Sequence, residues 1–169
     1  MKYIFILFSI VFLFYLLLPS PDFPEPPPDS VQSQEKADTE TPLRRAYFTD
    51  FTRQQVLEHY QKQLPWPTYR LNYPPEDSQT LIRDQTRSTF LEEVVRPFRQ
   101  SVFVNGFEPK VPKDDVWYKG VDYRQKIIIK VVPSNAFVRL MIGVPTLVLI
   151  WLLAKEWIFA FKDLKRERQ

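Results

Sequence analysis

Hydrophobic and polar positions along this chain fall into three regimes. Tyr3 to Leu18 is an apolar run in which Ser9 is the one clearly polar residue, and Ala136 to Ala154 is a second, interrupted only by Arg139. Between them the apolar residues come in periodic groups separated by proline-rich and charged stretches. Long apolar runs predict helices in lipid, because a helix satisfies its own backbone polar groups there. The second run has nineteen residues, enough to span. The first has sixteen, roughly 24 Å against a hydrocarbon core of roughly 30 Å, so a thin span and a signal peptide both fit it. No small-x-small cleavage pattern follows it, since the chain continues LLLPSPDFPEPPP, and this favours an uncleaved signal anchor over residues 1–18.

The second run, taken as a transmembrane helix over 136–154, contains Gly143 and Pro145. A mid-helix proline removes a backbone hydrogen bond, so a kink is expected, and Gly143 and Pro145 are the candidate positions for close helix packing in the membrane. Arg139, near the entry end, is expected to snorkel towards headgroups. Residues 155–169 form a basic tail with Lys155, Lys162, Lys165, Arg166 and Arg168 against Glu156, Asp163 and Glu167. An excess of Lys and Arg beside a span marks the cytoplasmic side, and Lys2 holds the other terminus there too. The expected topology is a two-pass protein of the plasma (inner) membrane with both termini cytoplasmic and residues 19–135 outside.

Within that outer part, residues 19–45 hold seven of the sixteen prolines and are acidic, which predicts a disordered stalk. Residues 46–132 are the expected folded domain. In FTDFTRQQVLEHYQKQLPWP, Thr52 and Gln55 make a capping box, Val56, Leu57, Tyr60 and Leu64 share a helical face, and Pro65 stops the helix. TYRLNY alternates as a strand. A helical zone is expected from Pro75, with Phe90, Leu91, Val94, Val95 and Phe98 continuing at helical spacing. SVFVNGFEP predicts a strand reaching a turn at Asn105-Gly106, and VWYKGVDYRQKIIIKVV a hairpin turning at Lys119-Gly120. In its second arm Tyr123, Gln125, Ile127, Ile129 and Val131 share the face expected to meet the helices. The fold class expected is α+β: a small domain of about four mainly antiparallel strands with two or three helices, flanked by two transmembrane helices.

Charge refines the picture. Residues 19–135 carry 16 Lys/Arg against 17 Asp/Glu and the ends carry 7 against 3, so the basicity of the chain, net +3, belongs to its membrane flanks, and nucleic-acid binding is set aside. The absence of cysteine excludes disulfides, thiolate metal sites and a cysteine nucleophile.

Catalytic chemistry finds little footing. His59 is the one histidine, no G-x-S-x-G turn accompanies it, and a structural or surface role is expected. The doublets Glu76-Asp77, Glu92-Glu93 and Asp114-Asp115 are sequence neighbours, whose side chains diverge on a helix or strand. Three glycines cannot build a phosphate cradle. No catalytic residue, metal site or cofactor is expected. Trp66, between two prolines, and Trp117, in the hairpin, are candidate exposed anchors for a partner. Arg124, Lys126 and Lys130 form a candidate basic row for lipid headgroups or polymer.

These residues predict a non-enzymatic membrane protein whose outside domain binds another envelope membrane protein, or a second copy of itself, as an accessory or assembly subunit, with membrane lipid as its surroundings. The alternative is a membrane-proximal module or sensor for anionic lipid or envelope polysaccharide.

Overall fold

The alternating stretch Gln125–Val132 is the strand around which the folded part of the chain is built. In the computed structural model, which describes residues 2–73 and 89–167, the elements in order are α1 (Lys2–Leu17), β1 (Val31–Gln32), β2 (Arg44–Thr49), α2 (Arg53–Gln63), β3 (Tyr69–Tyr73), β4 (Phe90–Val95), β5 (Ser101–Phe107), a 3-10 turn (Pro112–Asp114), β6 (Val116–Tyr118), β7 (Val121–Tyr123), β8 (Gln125–Val132) and α3 (Ala136–Glu167). The chain divides into two units, Ser20–Pro133 and the terminal segments Met1–Pro19 with Ser134–Gln169.

In the first unit six strands form one sheet in the order β1-β2-β8-β5-β4-β3, and β6 pairs with β7. Every pairing is antiparallel. Ile127 and Ile129 of β8 meet Tyr47 of β2 and Val102 and Val104 of β5 in a core that α2 closes with Val56, Leu57, Tyr60 and Leu64. The helix begins as its sequence dictates. Thr52 accepts from the Gln55 backbone N–H, and the Gln55 side chain accepts from the Thr52 N–H. Burial of Tyr60 beside Tyr47 pushes its phenol pKa up, so the ring is a neutral core residue.

The fold is richer in strands than expected. Eight are described where about four were anticipated, and α2 is the one α-helix described within Ser20–Pro133. Phe90–Val95, expected to be helical, is β4. Its apolar residues are buried on both sheet faces, Phe90 and Val94 on the side of α2 and Leu91 on the other, and such a run carries no strand alternation. The zone from Pro75 to Ser88 lies outside the described residues. β2 was missed for the same reason, with Tyr47 buried on one face and Ala46 and Phe48 on the other.

Asn105-Gly106 is not a turn but the interior of β5. A Cβ at position 106 would lie 2.0 Å from Cε1 of Phe90, so the glycine makes room for that ring. The Lys119-Gly120 turn is present, with φ of 51° and 82° at its two residues, as a two-residue hairpin of the primed type requires. The arm beyond it breaks at Arg124, and β8 pairs with β2 and β5 instead.

Residues 20–45, read from composition as a stalk, belong to the folded unit. Val31 and Gln32 pair with β2, and Ser33 and Asp38 are buried. Proline-rich composition removed the helix and strand signals there without preventing the segment from packing.

The flanking pair of transmembrane helices is also corrected. Among the described residues one helical stretch, Ala136–Asp163, is long and apolar enough to cross a membrane. α1 has 16 residues, roughly 24 Å, and falls short of the usual hydrocarbon thickness. Within the terminal unit α1 packs against α3: Phe5 meets Trp151 with ring centroids 5.1 Å apart, and a Cβ on Gly143 would stand 2.7 Å from a Leu16 methyl. Arg139 does not reach outwards but is buried, its Nη2 donating to the Leu18 carbonyl at 3.2 Å.

Candidate functional site

Where β2 begins and β8 finishes, the packing between α2 and the sheet opens into a groove of about 590 Å³, within the usual range for ligand pockets. Leu64 just past the end of α2, Val102 of β5 and Val131 of β8 form its floor and walls, and Leu43 stands at its mouth. The remaining wall is the segment Ser20–Glu25, whose Phe23 packs on the core. Phe23 also lies under the Arg45 guanidinium at 4.2 Å.

The polar residues of the lining are Ser20, Asp22, Glu25 and the two carboxamides Gln63 and Gln100. Gln63 holds the backbone of Glu25 from both sides: its Oε1 accepts from the Glu25 N–H at 2.7 Å and its Nε2 donates to the Glu25 carbonyl at 3.1 Å. His59 Nε2 lies 2.9 Å from the same carbonyl oxygen, which gives the single histidine a structural task. Gln100 also lines the groove and is 4% exposed, yet neither atom of its carboxamide has a hydrogen-bond partner among the described residues. A buried amide left unpaired costs about 1–3 kcal/mol, and both polar atoms of Gln100 are themselves closed off from solvent behind the groove wall.

The residues singled out from sequence do not converge. Trp66 is 90% exposed in the α2–β3 connection, next to the end of the sheet that carries the groove. Trp117 is 65% exposed in β6, whose neighbour Tyr118 stacks on Phe48 at 4.3 Å near the opposite end. The basic row is broken up. Arg124 Nε pairs with Glu108 at 2.9 Å, and Lys126 Nζ lies 2.9 Å from Glu35 and 2.8 Å from Asp38. Ile128 between them is buried, and Lys130 is the one of the three that is exposed on β8 without a described ion pair. The segment around Glu35 and Asp38 covers this sheet face, which a strand pattern cannot reveal.

Of the carboxylates, Glu92 is buried and meets Arg53, with Arg70 at 3.8 Å on its other oxygen. Its charge is thus met on both sides. Among the described residues no three His, Asp or Glu side chains gather as metal ligands. Gly143 faces α1 as described, and Pro145 lies inside α3.

Sequence reasoning missed Gln63, Gln100 and Leu43. Gln63, one turn after His59 on the polar side of α2, was the one available sign that this helix grips something; Gln100 and Leu43 gain meaning only through the sheet register. No known protein family, curated protein or solved structure matches this chain.

Proposed function

We propose that the chain is a non-enzymatic accessory or assembly subunit of the cell envelope, held in the plasma membrane by α3, whose outer domain binds an extended apolar segment of a partner membrane protein. The observation that carries this reading is the groove itself, lined by Leu64, Val102 and Val131 and open at Leu43. A carboxamide offers one donor and one acceptor in the geometry of a peptide group. Gln63 already uses its own in that way on the Glu25 backbone at the groove's wall, so one stretch of backbone is held there by this device. The apolar floor of Leu64, Val102 and Val131 favours an apolar segment, and Asp22 and Glu25 in the lining disfavour an acidic one. Support for the orientation comes from the Lys and Arg residues that follow the apolar part of α3, which favour a cytoplasmic tail and an outside domain.

The test is in-cell crosslinking of the full chain followed by gentle-detergent purification, in parallel with Leu43→Glu. Leu43 is partly exposed at the groove mouth, so a charge there blocks an apolar occupant without entering the core. A membrane protein recovered near equal stoichiometry with the native chain and lost with Leu43→Glu is expected. A chain recovered alone, or a partner indifferent to the substitution, contradicts the reading.

A further inference from the structure

Trp66 and Phe98, at 90% and 73% exposed, are the most exposed aromatic side chains described in Ser20–Pro133. Both stand in connections, Trp66 between α2 and β3 and Phe98 between β4 and β5. The registers bring those connections to one end of the sheet: Tyr69 opposes Val95, so β3 starts where β4 stops, and Ser101 opposes Val132, so β5 starts where β8 stops. Leu43 and Val132, both exposed, belong to the same end. Phe98 adopts φ 57°, a left-handed conformation that bulky residues disfavour, in the turn that presents its ring. Single exposed apolar residues are ordinary, but this set gathers at one end.

Chain length alone limits how far this end can lie from lipid. Three residues, Pro133 to Asn135, separate Val132 from Ala136, the first residue of α3, and such a link spans no more than about 15 Å. Neighbouring strands are about 4.8 Å apart, so the β4–β5 turn is within one or two strand spacings of β8. The indole of Trp combines an apolar body with an N–H, the combination that concentrates at membrane interfaces.

We infer that Trp66 and Phe98 are interfacial anchors, seated in the headgroup layer of the membrane that α3 crosses. This rests on α3 being a span. The prolines on either side of Trp66 limit the backbone freedom lost on insertion.

The test uses the full chain reconstituted in phosphatidylcholine–phosphatidylglycerol vesicles, in three forms that retain Trp66, Trp117 or Trp151 alone, the other tryptophans replaced by Phe. Trp66 emission is expected to be quenched by a headgroup spin label at least about threefold more than Trp117, while Trp151 in α3 is quenched by a label deep in the acyl region. Equal quenching of Trp66 and Trp117 overturns the inference and leaves the span intact. So does a Trp66 that is shielded from acrylamide but untouched by the headgroup label, which identifies a protein contact instead. A Trp151 that escapes the deep label removes the span and this inference with it. Because the chain has no cysteine, a second readout needs no tryptophan replacement: an environment-sensitive dye on Phe98→Cys should shift to the blue on reconstitution, and the same dye on Lys119→Cys should not. Equal shifts at the two positions likewise overturn the inference.

Discussion

The Nζ of Lys126 lies 2.8 Å from Oδ2 of Asp38, joining the centre of the sheet to the proline-rich segment that precedes β2. Asp38 is buried and also accepts from the Ser33 hydroxyl at 2.6 Å, while Glu35 shares the ammonium at 2.9 Å. The two substitutions should therefore be unequal. Lys126→Met leaves a buried carboxylate with one neutral donor and is expected to lower stability by about 2 kcal/mol, whereas Asp38→Ala leaves Lys126 with Glu35 and should cost about 1 kcal/mol. Thermal or chemical denaturation of the full chain in detergent measures both, and equal losses would contradict the arrangement.

The same pair has a pH signature. Burial by itself lowers the Lys126 pKa, but the hydrogen bonds and charges of Asp38 and Glu35 outweigh it and leave it raised. A raised folded pKa gives stability that is fully present below the unfolded lysine value, about 10.4, and is lost as pH rises through the folded one. Stability of the native chain is expected to fall more steeply above pH about 10 than that of Lys126→Met. Tyr60, whose pKa is also raised, contributes the same sign in both proteins and drops out of the difference. Parallel curves over that range would show that the pair adds nothing.

Gly106 exists to admit Phe90. Gly106→Ala is expected to destabilise by about 1–3 kcal/mol, because the new Cβ must displace a buried ring. Adding Phe90→Leu, which removes the ring edge, should recover part of that loss, and the double-mutant cycle measures the coupling. Additive losses would place the strain elsewhere.

The grip of Gln63 on Glu25 predicts local rather than global effects. Gln63→Ala removes both hydrogen bonds to the Glu25 backbone, and proteolysis within residues 20–30 should accelerate several-fold while global stability falls little, by about 1 kcal/mol. Unchanged cleavage there would mean that Phe23 alone holds the segment.

Local and alternating signals were readable from sequence. The Thr52–Gln55 capping box and the Lys119-Gly120 turn are set by residues within a few positions of one another, and β8 shows its period on the face that meets α2. β4 and β2 were not readable because both their faces are buried, which erases the alternation on which strand recognition rests. The basic row at Arg124, Lys126 and Lys130 failed for a related reason: the acidic partners of Arg124 and Lys126 come from 16 and 91 residues away. The groove is harder still, since Leu43, Gln100 and Val131 meet only once the antiparallel registers are in place.

The central claim is that the groove receives a partner. A photoreactive benzoylphenylalanine at position 43, at the groove mouth, tests it directly in living cells, with the same group at exposed Val121 near the other end as reference. A discrete adduct with one membrane protein from position 43 and none from position 121 is the predicted result. No adduct from position 43, or the same adducts from both positions, would contradict it.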